Sequence, residues 1–428
     1  MKKLIYAAGV FSLGGAGLAV QAADGDSKPW EVSLTTQGFY DSNINTQPDG
    51  PGKVDSWGIY VSPSVDYLKV WDTSSLTLGV TYGATYFFDI EPASGTAFNR
   101  SNIDSHWAQN ANVDVNFKHN FNPRMTLEID DNFAVFQNAS QVLMGQIGRI
   151  DGNNFSNDGT VNLAIELAPR WSTVIGYQNL FFRYEEDQYA SSLDRMENYG
   201  SLDFKYLLRP NTLALVGGRI GNVDYDSGKG LYFPGLPVND ALNPNANIRN
   251  TRTYFAYGGF EHSFTPAFTG SLRAGAQIQD WVNYDVDNQA NPFLDFSLSY
   301  AYDVGSKAQF GVIHRANTTD VVGGPVNGPV LNQESTAFYA TISHAITAKL
   351  TASVMATYQN SSFVGGVWDG QTENWWSVGG TLSYAFTRYL SAQASYYYDA
   401  LDSQVQVDDI FYRDYNRSRV FFGIVATY

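Results

Sequence analysis

The chain is written almost throughout in a period of two. In the stretch 75–88, Leu76, Leu78, Val80, Tyr82, Ala84, Tyr86 and Phe88 share one parity, and Thr77, Gly79, Thr81, Gly83 and Thr85 the other. In 350–361, Leu350, Ala352, Val354, Ala356 and Tyr358 oppose Thr351, Ser353, Met355, Thr357 and Gln359. Side chains of a strand alternate between faces, so these are strands with one apolar face and one small, polar face. The final stretch does the same, with Tyr428, Ala426, Ile424, Phe422 and Val420 on one side. As the last strand of an open sheet it is an exposed apolar edge and an aggregation hazard; pairing it with the first strand of a closed barrel removes the edge. A β-sandwich would bury both inner faces and turn charge outward. A helical membrane protein needs apolar runs of about 20 residues, and past residue 22 the chain has none. A solenoid would show shorter, coil-sized repeats.

The spacing predicts eighteen strands, with sixteen as the alternative: 30–40, 56–68, 75–88, 106–118, 125–138, 160–168, 171–186, 197–208, 212–226, 251–264, 268–284, 292–302, 307–318, 335–345, 350–361, 374–386, 390–402 and 418–428. Each is long enough to cross a tilted barrel wall. Tight turns near 69–73, 120–124, 168–170, 208–211, 264–266, 303–306, 346–348 and 386–388 alternate with long polar loops. Pro, Asn, Gly and Asp punctuate most of these turns, as turn geometry requires. An even strand count with short turns on one side and long loops on the other is the arrangement of a transmembrane barrel. All nine Trp fall near predicted strand boundaries or in loops, the pattern of aromatic belts at a membrane surface.

Residues 1–22 read as a cleaved secretory signal: Lys2 and Lys3 precede an apolar, Gly- and Ala-rich core, and Val20-Gln21-Ala22 closes it. The expected organisation is a signal at 1–22, a short periplasmic lead at 23–29 and a barrel at 30–428. So short a lead leaves no room for a folded plug. Removal of the signal takes two Lys and leaves 24 basic against 42 acidic residues, which argues against a nucleic-acid partner. The chain has no Cys, so an exported protein of this size has to be held by its fold alone. There is no phosphate-binding loop, zinc-protease motif or nucleophile elbow. The five His are scattered, so neither catalysis nor a cofactor is expected.

The first predicted hairpin carries Tyr40-Asp41-Ser42-Asn43-Ile44-Asn45 and then Ser62-Pro63-Ser64-Val65-Asp66-Tyr67. This resembles the opening of the putative β-barrel porin type 2 group of outer-membrane proteins. The aromatic-ended terminal strand is similar to the closing strand by which such barrels are recognised for assembly. The resemblance implies an outer-membrane barrel with pore activity. Its partners would be outer-membrane lipids, the barrel-assembly machinery and small polar solutes, and a homo-oligomer is compatible with it. A polysaccharide exporter and a structural or adhesive barrel are the alternatives. The resemblance carries no catalytic residue.

With each strand's apolar face turned to lipid, the charges on the opposite face are the expected pore lining. On the early strands these are Glu31, Asp66, Asp114, Glu128, Asp130 and Glu166, with Lys118 the one base. Arg183, Lys205, Arg219, Arg273 and Arg315 follow on later strands, mixed with Glu185, Asp203, Glu261 and Asp295; Asp399 and Arg419 complete the set. Acids outnumber bases on this face, which predicts a weak preference for cations. The loop 139–158 holds Val142, Leu143, Met144, Ile147, Ile150 and Phe155, too apolar for a loop in water. It is expected to fold into the mouth and narrow it, or to pack on other loops or at an oligomer interface. The loop 227–250, with Pro234, Pro237 and Pro244, is expected to form part of an outer cap.

Overall fold

The computed structural model describes residues 28–50, 52–90, 105–136, 152–226, 230–231, 243–323, 328–405 and 413–428. They form one antiparallel sheet of eighteen strands. In chain order these are β1 (Trp30–Asp41), β2 (Ser56–Val70), β3 (Ser74–Phe87), β4 (Trp107–Asn122), β5 (Met125–Phe136), β6 (Asn154–Ala168), β7 (Trp171–Arg183), β8 (Arg195–Arg209) and β9 (Thr212–Tyr225). They continue as β10 (Thr251–Thr265), β11 (Phe268–Trp281), β12 (Gln289–Asp303), β13 (Ser306–Asn317), β14 (Asn332–Ala345), β15 (Leu350–Val364), β16 (Thr372–Thr387), β17 (Leu390–Ser403) and β18 (Tyr415–Thr427). A short α-helix, α1 (Asp187–Leu193), lies between β7 and β8. Every strand pairs with its sequence neighbours, and β1 pairs with β18 from Ser33↔Thr427 to Asp41↔Arg419. Tyr428 and Val32 add two backbone bonds of 2.8 and 3.1 Å at the end of that ladder. The eighteen strands and the closure match the sequence expectation, and all eight expected turns join consecutive strands.

Residues paired across a ladder share a face, so exposure on one strand orients its neighbours. On β18, Phe422 and Ile424 are 63% and 52% exposed while Val425 is 8% exposed. The even-numbered face of β18 is therefore the outer, lipid-facing one. Trp30, Trp57, Trp71, Trp107, Trp171 and Trp376 are exposed, as a belt requires. Trp281, Trp368 and Trp375 are buried instead. Trp375 and Trp376 are sequence neighbours, so a strand must send one to each face.

One ladder is interrupted for a reason written in the sequence. Pairing of β12 with β13 stops at Leu294↔His314. Continued by two places, Ala316 would face Pro292, which has no N–H to give. The side chain of Gln277 on β11 takes over. Its amide donates to Ala316 O at 2.9 Å and accepts from Ala316 N–H at 2.9 Å, so a side chain stands in for a backbone partner. Beside it, Asn332 donates to Gln279 and, at 3.1 Å, to Gln289. Above this point β13 and β14 are tied to the side chains of Gln277, Gln279 and Gln289 rather than to the β12 backbone.

Among the cross-strand pairs on the inner face that join a Tyr to a Gly are Tyr199↔Gly221, Tyr339↔Gly311 and Tyr397↔Gly379. In each, the ring lies where a Cβ of the glycine would stand. The rings are laid flat on the wall, not pointed into the lumen.

Candidate functional site: the lumen wall and the strap across the mouth

Two walls of the lumen differ in how their charge is held. On β1–β6 the inward side chains Glu31, Asp66, Asp114, Asp130 and Glu166 are exposed and Glu128 is half-buried. Their cross-strand neighbours are mostly uncharged. Asp114 accepts from Asn112 and from Asn132, and Asp130 from Asn116. Glu31 and Asp66 stand opposite each other, and Gly79 separates Asp66 from Asp114. Lys118, the base foreseen here, faces Glu128 across the β4–β5 ladder. The two Asn amides at Asp114 are neutral donors and bring no positive charge to it.

On the other wall, β8–β13, most of the bases are covered, and Lys307 near the lower end of β13 is exposed. Lys205 is paired with Glu261 at 2.7 Å, and Arg273 with Asp203 at 3.4 Å and Glu261 at 3.7 Å. Arg219 donates to Gln178 at 2.7 Å and lies over the Tyr199 ring at 3.8 Å. Arg315 is inward and half-buried. Nearer β18, Arg417 holds Asp41 and Arg419 holds Asp399, all four buried.

Arg183 differs from its expected place. It pairs with Phe155, and Phe155 is exposed on the outer face of β6. Arg183 therefore belongs to the outer wall, at its rim, where it bonds Asp194 at 2.9 Å and Asp226 at 3.0 Å. β7 ends at Arg183, and Glu185 lies beyond it. This strand's inward residues Val174, Leu180 and Phe182 are apolar and mimic a lipid face. Phe155 is not in a loop either: β6 begins at Asn154, and the Phe155 ring sits 6.3 Å from Phe133. Val142, Leu143, Met144, Ile147 and Ile150 lie outside the described residues, as does most of 227–250. The described remainder of that loop includes Leu231, Ala246 and Arg249, all buried.

The element that reaches over the mouth reads in the sequence as an ordinary loop between β13 and β14. Residues 318–323 leave β13 and 328–331 lead into β14, and these two described arms form a strap. Thr318 Oγ1 donates to Glu197 Oε1 on β8 at 3.4 Å. Arg249 donates to Ser192 O at 3.1 Å and to Thr319 O at 2.6 Å. Arg413 holds the Asp320 carboxylate at 3.0 and 3.2 Å and also grips Glu373. Val321 and Val330 are buried with Phe363, Trp368 and Val405. Val322 packs against two more clusters, Phe136, Phe182, Tyr184 and Leu193 on one side, Val223, Tyr225, Leu231 and Ala246 on the other. A Gly323↔Pro329 bridge and a Val330 N–H to Val322 O bond of 2.8 Å fold the strap on itself. Gly366, at φ +71°, lets the β15–β16 loop lie against it; a Cβ there would stand 2.7 Å from Gly328 O.

Arg249 and Arg413 are each 1% exposed. Burial pushes the Arg249 guanidinium below its ordinary value. Its two carbonyl acceptors offset part of the cost of desolvating that charge. The same test that singled out 139–158 would have found the strap: Val321, Val322, Val330 and Leu331 are too apolar for a Gly- and Pro-rich loop in water. Among the described residues no cluster of His, Asp and Glu has the arrangement of a metal site.

A search of curated proteins returns no match. Among solved structures, the chain is similar to OccAB2 of Acinetobacter baumannii, at 11% identity over 93% of this chain and 98% of that one, with a TM-score of 0.45. It is similar to OccK9 (OpdG) of Pseudomonas aeruginosa, at 13% identity over 93% and 98%, with a TM-score of 0.45. A BenF-like porin from Pseudomonas fluorescens Pf-5 matches at 12% identity over 94% and 99%, again with a TM-score of 0.45. The first hairpin, which carries the resemblance read from the sequence, lies outside the span that a family model recognises. That span is residues 236–428, which include β10–β18, and it matches the family described as putative beta-barrel porin 2.

Proposed function

We propose that the chain is an outer-membrane channel for passive diffusion of small polar solutes, with a weak preference for cations. The family match supports the channel. One observation carries the preference: five of the six acids of the β1–β6 wall are exposed to the lumen, while Lys205, Arg219 and Arg273 opposite are paired or covered, which leaves Lys307, low on β13, as an exposed inward base. An acidic lining raises the local cation concentration and repels anions. The effect reaches about a Debye length, ~8 Å at physiological salt. It therefore acts where the strap leaves the passage narrow. Reversal potentials across a bilayer in a KCl gradient test it. The wild type should favour K⁺, Asp66→Asn with Asp114→Asn should weaken that preference, and high salt should erase it. Anion selectivity in the wild type would overturn the reading and point to an exporter of acidic polymer.

A second reading has one observation in its favour. The strap and the apolar clusters around it pack much of the mouth, as they would in a structural barrel without an open pore. Absence of conductance from correctly folded barrels would select it. On either reading, residues 1–22 act as a cleaved export signal, 23–29 as a periplasmic lead, and β18 as the strand by which the assembly machinery inserts the barrel among outer-membrane lipids. No catalytic activity is part of the proposal.

A further inference from the structure

The outer wall carries a polar surface that diffusion through the lumen does not use. Across β13–β16, His314, Thr336, Asn360 and Asn374 form one continuous cross-strand row on the outward face. They are knit together: His314 Nδ1 meets Thr336 Oγ1 at 2.8 Å, and Asn360 Nδ2 donates to Asn374 Oδ1 at 2.9 Å. Tyr358, on the row beneath, donates its hydroxyl to the same Asn374 oxygen at 2.8 Å. Glu334 lies 3.0 Å from His314 Nε2. Asn374 Nδ2 and Asn360 Oδ1 have no hydrogen-bond partner among the described residues, and both residues are half-buried on the outer face.

The next outward row below is Val312, Phe338, Tyr358 and Trp376, of which Phe338 and Trp376 are exposed. Lower still are the exposed pair Ile342 and Val354. Apolar residues, then aromatics, then amides, read upward, are the order of acyl chains, interface and headgroups. A polar row of this size is costly at hydrocarbon depth, so it marks the headgroup level.

Above the row the wall has a notch. Because β13 parts from β12 at Pro292 and turns inward with the strap, a cleft of about 450 Å³ opens between the β11–β12 and β15–β16 loops. Trp281, Val286, Gln289, Leu331, Val364 and Asp369 line it. Val364 stands on the outer face of β15, two residues above Ser362, whose partner across the ladder is Glu334. Row and notch meet at Val364, while Trp281 and Gln289 enter the notch from the inner face of β11 and β12; together they offer amide and carboxylate groups for hydroxyls and apolar side chains for the face of a ring.

We propose that this surface seats the saccharide headgroup of an outer-leaflet glycolipid. The acids Glu334, Asp287 and Asp369 disfavour a bare phosphate, which separates a sugar headgroup from that of an anionic phospholipid. The apolar wall below separates a lipid from a free sugar, since acyl chains continue down it. The proposal rests on the outer-membrane reading but not on pore selectivity, which conductance reports separately on the same preparation.

The test uses the delipidated full-length barrel in detergent, with three probes: a neutral glucosyl-diacylglycerol, phosphatidylglycerol with the same chains, and free glucose. A ligand that binds only the folded state raises its melting temperature. The glucosyl lipid should raise the melting temperature by several degrees and survive as a bound species in native mass spectrometry. Asn374→Leu and Glu334→Gln should each lose about tenfold in affinity, the loss of a good hydrogen bond to the headgroup. Asn198→Leu, on the outer wall of β8, should keep the wild-type shift. These outward substitutions leave the lumen-side packing untouched, and folded barrel is selected by its retained strand signal before titration. An equal shift with phosphatidylglycerol, an equal shift with free glucose, or undiminished shifts in both Asn374→Leu and Glu334→Gln would each overturn the proposal.

Discussion

Gln277 offers a sharp test of how the strap is rooted. Its side chain is 1% exposed and makes two 2.9 Å bonds to one residue, Ala316, whose natural partner position is occupied by Pro292. Gln277→Met keeps the length and removes both bonds. If the site excludes water, Ala316 is left with a buried N–H and a buried C=O, each costing about 1–3 kcal/mol. The expected loss is therefore ~2–6 kcal/mol in reversible urea unfolding from lipid vesicles, less if water enters. Gln393→Met, on the inner face of β17 with no such bonds, controls for the change of side chain and should cost under about 1 kcal/mol. A second substitution sharpens the logic. Pro292→Ala supplies an N–H opposite Ala316, so added to Gln277→Met it should recover roughly one hydrogen bond, ~1 kcal/mol. If Gln277→Met costs no more than Gln393→Met, or if Pro292→Ala makes the double variant worse, the account of this seam is wrong.

Three further outcomes follow from the same structure. Arg413→Leu leaves Asp320 and Glu373 as buried unpaired carboxylates, a cost of about 3–5 kcal/mol borne locally by the strap. Single-channel recordings should then show larger or noisier conductance, and an unchanged trace would remove the strap from the conduction path. Ile424→Lys should destabilise the barrel by about 2–4 kcal/mol near the bilayer midplane; greater disruption by Val425→Lys, scored by folding into vesicles, would invert the assigned facing of β18. Gly311→Ala puts a methyl where the Tyr339 ring lies, so the ring must swing toward the lumen, and conductance should fall while the fold persists.

The sequence revealed what depends on neighbours in the chain and hid what depends on neighbours in space. Period two exposed all eighteen strands, because a lipid face is apolar along each strand independently. The turns showed themselves through their backbone chemistry. β6 starts at Asn154, six residues before the start its periodicity predicts, because Asn157 and Gly159 interrupt its apolar face below Phe155. Arg183 was placed on the wrong side because Leu180 and Phe182, which face inward, are covered by mouth residues supplied from elsewhere in the chain. The strap was missed for the same reason. The partners that make Thr318, Asp320 and Val322 a crossing element are Glu197, Arg413 and Phe182, each far away in sequence. The acids on β1–β6 could be named in advance, but their exposure relative to the bases opposite is a property of the assembled lumen.

The tyrosines folded onto glycines also bear on how this barrel can change over generations. Each such ring and its glycine sit on different strands, so neither can be replaced freely without an answering change in its neighbour. A larger residue at Gly221 drives Tyr199 into the lumen, and a smaller residue at Tyr199 bares the backbone at Gly221. Variation at these sites should arrive in pairs, and sequences related to this one should be read for joint substitution at 199 and 221, 311 and 339, 379 and 397. Two such positions that drift independently would mean that the lumen tolerates a protruding ring there, and hence that the passage is wide at that level.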